Sequence, residues 1–354
     1  MRLYFKYLFW LYAKNLFAIL FGLSLAFTSI DYFQHLAKLE GSSNHNILYI
    51  YYRWQESMFL LYPLSIIFAL IMTKFALIKT NTMGALHSFG YSKKRLVIPI
   101  LSVSILVYIV FVLLHTTEFS YSKDRAFALL EKKQDIHNVN NIFFKYNDTF
   151  VYIKKLDPIA NRIDEITIFK VKDYRVQYTI SAHKAIFEDG KWRALRATIK
   201  THNYKNSKLI NYTVEHKESI DTLTGYKPQI MVSLYEGKTL NIIDAYHTWR
   251  LLDSQNLNSD KIRAGFYDKA VVPLFAIALL VILFFKLPFH ARMMNTGAVI
   301  AVALASTFMI WGLFFGLGQI SANGVLAPEF TAIIPITGLL FYAIYIYFSD
   351  EKTI

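Results

Sequence analysis

The residues that could catalyse a reaction or bind a nucleotide form no known pattern in this sequence. It lacks the GxxxxGK[ST] loop that holds ATP phosphates, the HExxH pair of zinc hydrolases and the GxSxG turn of serine hydrolases. No two of the ten histidines lie three or four residues apart, so a di-histidine metal site on a helix is not expected. The sequence therefore predicts no catalytic residue, no metal and no cofactor on this chain.

The side chains best suited to binding are polar residues that border apolar stretches. They are Asp31, His35, Lys38, Arg53 and Lys269. Cations in such positions could bind an anionic group. Each cation could instead extend toward the interface or pair with a neighbouring carboxylate of Asp31, Glu56 or Asp268.

The composition indicates a membrane protein. The chain has 354 residues, of which 55% are hydrophobic and 18% are charged. Six stretches contain no Asp, Glu, Lys or Arg: 15–30, 57–73, 96–117, 270–285, 296–317 and 330–349. A helix needs about 20 mostly apolar residues to cross the hydrocarbon layer, so we expect six spans, the first starting near Asn15. A cleaved signal peptide at the start is disfavoured, because no small-x-small site follows the apolar run.

The short loops carry their positive charge on one side of the membrane. Loop 79–95 has Lys79, Lys93, Lys94 and Arg95, and loop 286–292 has Lys286 and Arg292, all without an acid. Loops 31–56 and 318–329 are mixed or acidic. The positive-inside rule then places both termini in the cytoplasm. It divides the chain into membrane segments 1–117 and 263–354 and an external region 118–262. The net charge of +13 fits this topology and contact with anionic lipid rather than nucleic acid.

The external region contains short segments that alternate apolar and polar residues, as strands do. They are residues 142–146, 149–154, 165–171, 174–182, 185–188, 191–200, 208–217 and 229–235. Asn147-Asp148 and Asp189-Gly190 suit tight hairpin turns. About eight strands favour an antiparallel sandwich or jelly roll, followed by a helix from about Leu240 that leads back to the membrane. The absence of cysteine means that no disulfide holds this domain.

Apolar residues on one face of such a sheet normally form its core. A β domain that stays open to a lipid chain would use the same residue types, so periodicity leaves both interpretations open. The candidates are Phe144, Phe150, Tyr152, Ile166 and Ile168.

The basic loop after the second span contains a predicted short helix at about residues 81–90. Asn81 or Thr82 can cap its start, and Gly90 can end it in a left-handed turn. An isolated helix of about two turns is marginal in water and must dock on something. The residues expected to share its contact face are Met83, Leu86, His87 and Phe89. That face either packs on the chain's own membrane helices or docks in a groove of a cytoplasmic partner.

The order of these parts resembles the LptF/LptG family of lipopolysaccharide export permeases. That family has three spans, an external β domain and three more spans, with a coupling helix after the second span. Segments 141–153, 163–169, 188–193, 268–274 and 324–335 are similar to family sequences at the corresponding places. Ser88-Phe-Gly90 is similar to the end of the coupling helix. The resemblance covers essentially the whole chain.

This resemblance implies a transport subunit, not an enzyme, in the bacterial inner membrane, with a periplasmic β-jellyroll domain. An LptF-like and an LptG-like permease would pair and dock on a dimer of the ATPase LptB, which binds ATP and magnesium. The implied docking residues are Thr82, Met83, Leu86, His87, Phe89 and Gly90. Lipopolysaccharide would enter between spans one and five, meet the cations named above, and cross the β domain to LptC- and LptA-like proteins. Segment 30–38 resembles the LptG member.

Two positions depart from the family pattern. Thr82 stands where the coupling helix usually has a carboxylate, so a salt bridge to the ATPase is not implied. Gln34 and His35 replace paired lysines, which shifts headgroup recognition toward Lys38 or weakens its charge. Two other classes remain open: a different export permease, usually with fewer spans, and a membrane-anchored assembly or sensor protein, which needs no coupling helix.

Overall fold

A computed structural model describes residues 3–39, 42–130, 139–158, 160–172, 175–205, 208–236, 238–288 and 295–349. Arg292, used in the charge count above, and Tyr174, at the start of a predicted strand, lie outside these residues. The chain forms two compact units. The helical unit comprises Met1–Glu131, Asn241–Tyr246 and Ser259–Ile354, and the sheet unit comprises Lys132–Leu240 and His247–Asn258.

The helices fall before and after the strands in chain order. Before them come α1 (Leu3–His35), α2 (Ser43–Lys79), α3 (Thr82–Ser88), α4 (Lys93–Leu114) and α5 (Ser122–Leu130), with short 3-10 turns at Leu36–Lys38 and Glu118–Tyr121. After them come α6 (Pro228–Glu236), α7 (Ile242–Ser254), α8 (Asp260–Ala270), α9 (Leu274–Lys286), α10 (Thr296–Ala322) and α11 (Ile334–Ser349). A π-helical turn, Glu329–Ile333, runs directly into α11.

Among the described residues, five helices are long and apolar enough to cross a membrane, and a sixth span results if α8 and α9 are taken together. This bent pair turns by 41° at a break that includes Pro273, which has no N–H to donate to a helix. The result agrees with the six predicted spans. The α1 helix begins at Leu3 and continues through Lys6 and Lys14, so it starts well before the expected start of the span near Asn15.

A series of polar contacts joins α1 to its neighbours along most of its length. Tyr12 donates to the backbone oxygen of Ile66 at 2.9 Å, and Asn15 donates to Thr73 at 2.8 Å. Further along, Trp54 donates to Ser24 at 3.0 Å, and Thr28 donates to Ser57 at 3.1 Å. In an apolar medium such bonds satisfy groups that would otherwise lack partners. They make α1 and α2 a hydrogen-bonded pair.

Large apolar side chains of α1 are exposed at several places along the helix. They include Phe17, Phe21, Leu25, Ile30 and Phe33. The α10 helix is also largely exposed, with Val302, Met309 and Leu313 more than half accessible. These apolar surfaces need lipid or another apolar partner.

The sheet unit contains one antiparallel sheet with the order β1 to β6. The strands are β1 (Val139–Tyr146), β2 (Thr149–Asp157), β3 (Arg162–Lys172), β4 (Arg175–Glu188), β5 (Lys191–Lys205) and β6 (Lys208–Thr222). The predicted turns are confirmed: Asn147 at φ +50° follows β1, and Asp189 and Gly190, both with positive φ, join β4 to β5. Such φ values are those of tight hairpin turns.

The antiparallel β domain is confirmed, but several details of the prediction are wrong. The described residues contain six strands rather than eight. Residues 175–182 and 185–188 belong to the single strand β4. Lys184, which lies between them, pairs with Asp164 of β3 and with Leu195 of β5. Segment 229–235 lies in α6, which starts at Pro228, a residue well suited to the first helical position.

The connectivity of the sheet is that of a meander. Every described strand pairs with the next one along the chain, whereas a jelly roll would place non-consecutive strands side by side. One face is buried and includes Val151, Ile153 and Ile163. Trp192 is fully buried there, and its Nε1 donates to the backbone oxygen of Tyr226 at 2.7 Å.

Candidate functional site

The predicted headgroup residues at the end of α1 surround one carboxylate. Asp31 is buried, and Tyr49 donates to its Oδ2 at 2.5 Å while Arg53 donates to its Oδ1 at 2.7 Å. His35 lies one turn further along α1, with Nδ1 2.9 Å from the Asp31 backbone oxygen. Arg53 also donates to Glu56 at 2.5 Å. We call these five residues the Asp31 cluster.

The charge balance of the Asp31 cluster differs from that of a simple cation site. Arg53 bonds to both carboxylates, and its guanidinium lies 5.5 Å from the Phe27 ring centroid. Of the interpretations considered for the cations, the structure shows pairing with a carboxylate for Arg53. The guanidinium and the two carboxylates together carry a formal charge of −1. Lys38, in the 3-10 turn after α1, is exposed and supplies a cation next to this cluster along the chain.

Lys269 belongs to a different set of contacts. It is buried near the end of α8, and its Nζ donates to Ser120 Oγ at 3.3 Å. The same hydroxyl lies 2.9 Å from His115 Nδ1 and donates to the His115 backbone oxygen at 2.9 Å. His115 follows the last residue of α4 and is buried.

The segment predicted as a coupling helix is α3 and its C-terminal turn. Asn81 occupies the N-cap with φ +55°, and Gly90 has φ +80°. The Gly90 N–H donates to the His87 oxygen at 2.9 Å, and the Tyr91 N–H donates to the Leu86 oxygen at 3.2 Å. These two bonds form the Schellman motif that ends many helices at a glycine.

The two sides of α3 have different environments. Met83 is buried in the same cluster as Leu77 and Leu287, and Leu86 packs against that cluster. His87 is exposed, and Phe89, just beyond the helix, is 79% exposed. The expectation that Met83 and Phe89 share a face is wrong. At about 100° per residue, six residues place Phe89 about 120° away from Met83 around the helix.

The five candidate residues of the β domain lie on two faces of the sheet. Ile166 and Ile168 are buried in the core, and Phe144 stacks on Tyr226 with ring centroids 5.5 Å apart. Phe150 and Tyr152 alternate with the buried Val151 and Ile153 and therefore point to the other face.

An aromatic strip on that other face includes two residues that the sequence prediction missed. Phe150 lies 5.8 Å from Phe143 and 5.9 Å from Phe169, measured between ring centroids. The register places Phe150 opposite Phe169 in the β2 and β3 pair. Counting residues outward from each hairpin turn predicts which residues of neighbouring strands lie side by side, and it could have identified this strip. Tyr49 was also missed, because a tyrosine on an apolar helix gives no sign of the carboxylate that it contacts.

Within the described ranges, no group of three or more His, Asp or Glu side chains is arranged to hold a metal ion.

A multi-spanning helical unit, an inserted antiparallel sheet and a short docked helix after the second span together define a membrane permease with an extramembrane β domain. The family model of the lipopolysaccharide export system permease LptF/LptG matches residues 6–349, and the chain belongs to this family. It is thus a lipopolysaccharide export permease and a transmembrane subunit without its own nucleotide site; in this family the ATPase is LptB. A search among curated proteins finds no matching relative.

Proposed function

We propose that this chain is the LptG-like half of a heterodimeric permease and that its first span takes up lipopolysaccharide. The observation that carries this proposal is that α1 exposes large apolar side chains although it is bonded to α2. Phe17, Phe21 and Leu25 are exposed along the helix, and Phe33 is exposed beside the Asp31 cluster. Acyl chains would lie along these side chains, where each buried methylene contributes about 0.8 kcal/mol.

The phosphates of the lipid would bind near the end of α1. Lys38 is exposed there, and the already paired Arg53 orients Asp31 rather than offering its full charge to the ligand. His35 can add a positive charge when it is protonated. Lys269 is assigned a supporting role, because its Nζ is buried beside Ser120.

The exposed side of α3 would dock on the LptB-like ATPase dimer. Met83 and Leu86 anchor the helix on its own unit, so His87, Phe89 and Gly90 are left to face the partner, with Thr82 at the start of the helix. An exposed phenylalanine that fills a partner's pocket is typical of an interface anchor.

The remaining partners follow from membership of the family. They are a second, LptF-like permease, LptC- and LptA-like periplasmic proteins, and membrane lipids. The β domain, within residues 118–262, would pass the lipid onward in the periplasm. Both chain termini would lie in the cytoplasm of an inner-membrane protein, as the basic loops indicate.

Within the β domain, the lipid path follows the face that holds Phe144, Ile166 and Ile168. Phe144 is half-buried at its margin, whereas the two isoleucines are covered and would become accessible only when the core opens. A photocrosslinking amino acid at Phe144 should trap lipopolysaccharide. The same residue at Phe150 samples the aromatic strip on the other face. Crosslinks confined to Phe150 would reverse the assignment of faces.

The test of the whole proposal is co-purification from native membranes with photocrosslinkers on α1. Crosslinkers at Phe21 and Leu25 should trap lipopolysaccharide, while one at Leu20, which is buried, should not. Mass spectrometry of the same preparation should find an LptB-like ATPase and an LptF-like permease. A preparation that contains neither the ATPase nor the glycolipid would contradict the proposal.

A further inference from the structure

A lysine is buried in the apolar helical unit, near the α3 end of α2. Lys74 is 1% exposed. Its Nζ donates to the backbone oxygen of Phe284 at 2.5 Å and to that of Leu287 at 2.6 Å. The ammonium group also lies 5.1 Å from the centroid of the Phe284 ring. A charge in an apolar interior is costly, so its position calls for a physical reason.

The reason lies in the sequence at the end of α9. In a continuing helix, the Phe284 oxygen would accept a bond from the N–H four residues later. That residue is Pro288, which has no N–H. The α9 helix ends at Lys286, and the last carbonyls of a helix lack intrahelical donors. The Lys74 ammonium supplies donors to two of these carbonyls from another helix, and its charge suits the negative end of the α9 dipole.

The position of Lys74 also connects α9 to the docking helix. Lys74 lies about one and a half turns before the end of α2, and only Thr80 and Asn81 separate α2 from α3. Met83 of α3, Leu77 and Ile78 of α2, and Leu287 after α9 belong to one buried cluster. A displacement of α3 would therefore act on the part of the structure in which Lys74 holds α9.

We propose that Lys74 is a positioning residue for transport: it fixes the end of α9 to α2, so that a movement imposed on α3 by the ATPase moves both helices together. This rests on the proposed docking role of α3. Without the Lys74 bonds, the ATPase would still dock and hydrolyse ATP, but less of that motion would reach α9. Lipid transfer per ATP should fall.

The test uses the purified permease complex with its ATPase in nanodiscs. It measures lipopolysaccharide transferred to an acceptor protein and ATP hydrolysed in the same sample. Lys74→Met should keep the ATPase bound and lower transfer per ATP about fivefold or more, the lower range of coupling between distant sites. Lys286→Met is the matched control, because Lys286 is an exposed lysine in the last turn of α9. It should leave the ratio unchanged.

A compensating variant keeps the proposal testable if Lys74→Met folds poorly. Pro288→Ala restores an N–H four residues after Phe284, and in the Lys74→Met background it should recover part of both folding and transfer per ATP. Lys74→Met with an unchanged ratio, or a double variant without recovery, would overturn the role of Lys74. Failure of the unmodified complex to retain an ATPase would instead count against the docking role of α3.

Discussion

The Asp31 cluster shows how one buried carboxylate can organise the end of a membrane helix. Tyr49 and Arg53 bond to separate oxygens of Asp31, and Arg53 reaches on to Glu56. The side chains of Asp31 and Arg53 are only 8% and 15% exposed. Removing one partner of such a pair leaves a charge in a poorly hydrated place, which costs more than the pair itself contributes.

Arg53→Met should therefore destabilise the protein by about 3–5 kcal/mol, the usual range for breaking a buried ion pair. Thermal unfolding in detergent would measure this. The double variant Arg53→Met with Asp31→Asn should lose less stability than the two single variants lose together, because it removes both charges. Additive losses would show that the two side chains do not interact.

At Lys38 the contribution of charge to lipid binding can be tested without disturbing the fold. Because Lys38 is exposed, Lys38→Glu should weaken lipopolysaccharide photocrosslinking and slow export while the complex still assembles. Lys261→Glu, at an exposed lysine of α8, is the charge-matched control. Equal crosslinking in both variants would remove Lys38 from the headgroup site.

At the scale of elements, α3 separates the residues that anchor it from those that we propose to bind the ATPase. Met83 is buried with the membrane helices, whereas Phe89 projects beyond the helix end. Phe89→Asp should abolish co-purification of the ATPase and leave the unfolding temperature nearly unchanged. Met83→Ala should lower the unfolding temperature, because it opens a cavity in the core. Normal co-purification of Phe89→Asp would contradict docking through this residue.

The sequence predicts some elements well because their signals are local. Apolar stretches indicate the spans, and Gly90 and Asp189-Gly190 mark backbone turns that favour glycine. The sequence pattern does not distinguish the α6 helix from a strand, because Ile230 and Val232 also fit the alternation of a strand. The local signal that favours a helix is Pro228, which occupies its first position. Lys74 gave no local signal, because the carbonyls that it bonds are 210 and 213 residues away along the chain.

At the scale of the whole molecule, the spans and basic loops determine the orientation that we propose. The chain contains no cysteine, so single cysteines can be introduced without background labelling. A cysteine at exposed Ser88 should react with an impermeant thiol reagent only after the inner membrane is opened. A cysteine at exposed Asn203 of the β domain should react in intact spheroplasts. The reverse pattern would invert the topology.

The β5 and β6 pair has 15 residues in each strand. At about 3.3 Å per residue each strand extends about 50 Å, whereas one leaflet contributes about half of the roughly 30 Å hydrocarbon layer. A stretched acyl tail is about as long as one leaflet is thick, so the hairpin is about three times as long as such a tail. One hairpin is therefore long enough to accommodate the whole acyl tail of a lipid before a second protein is needed.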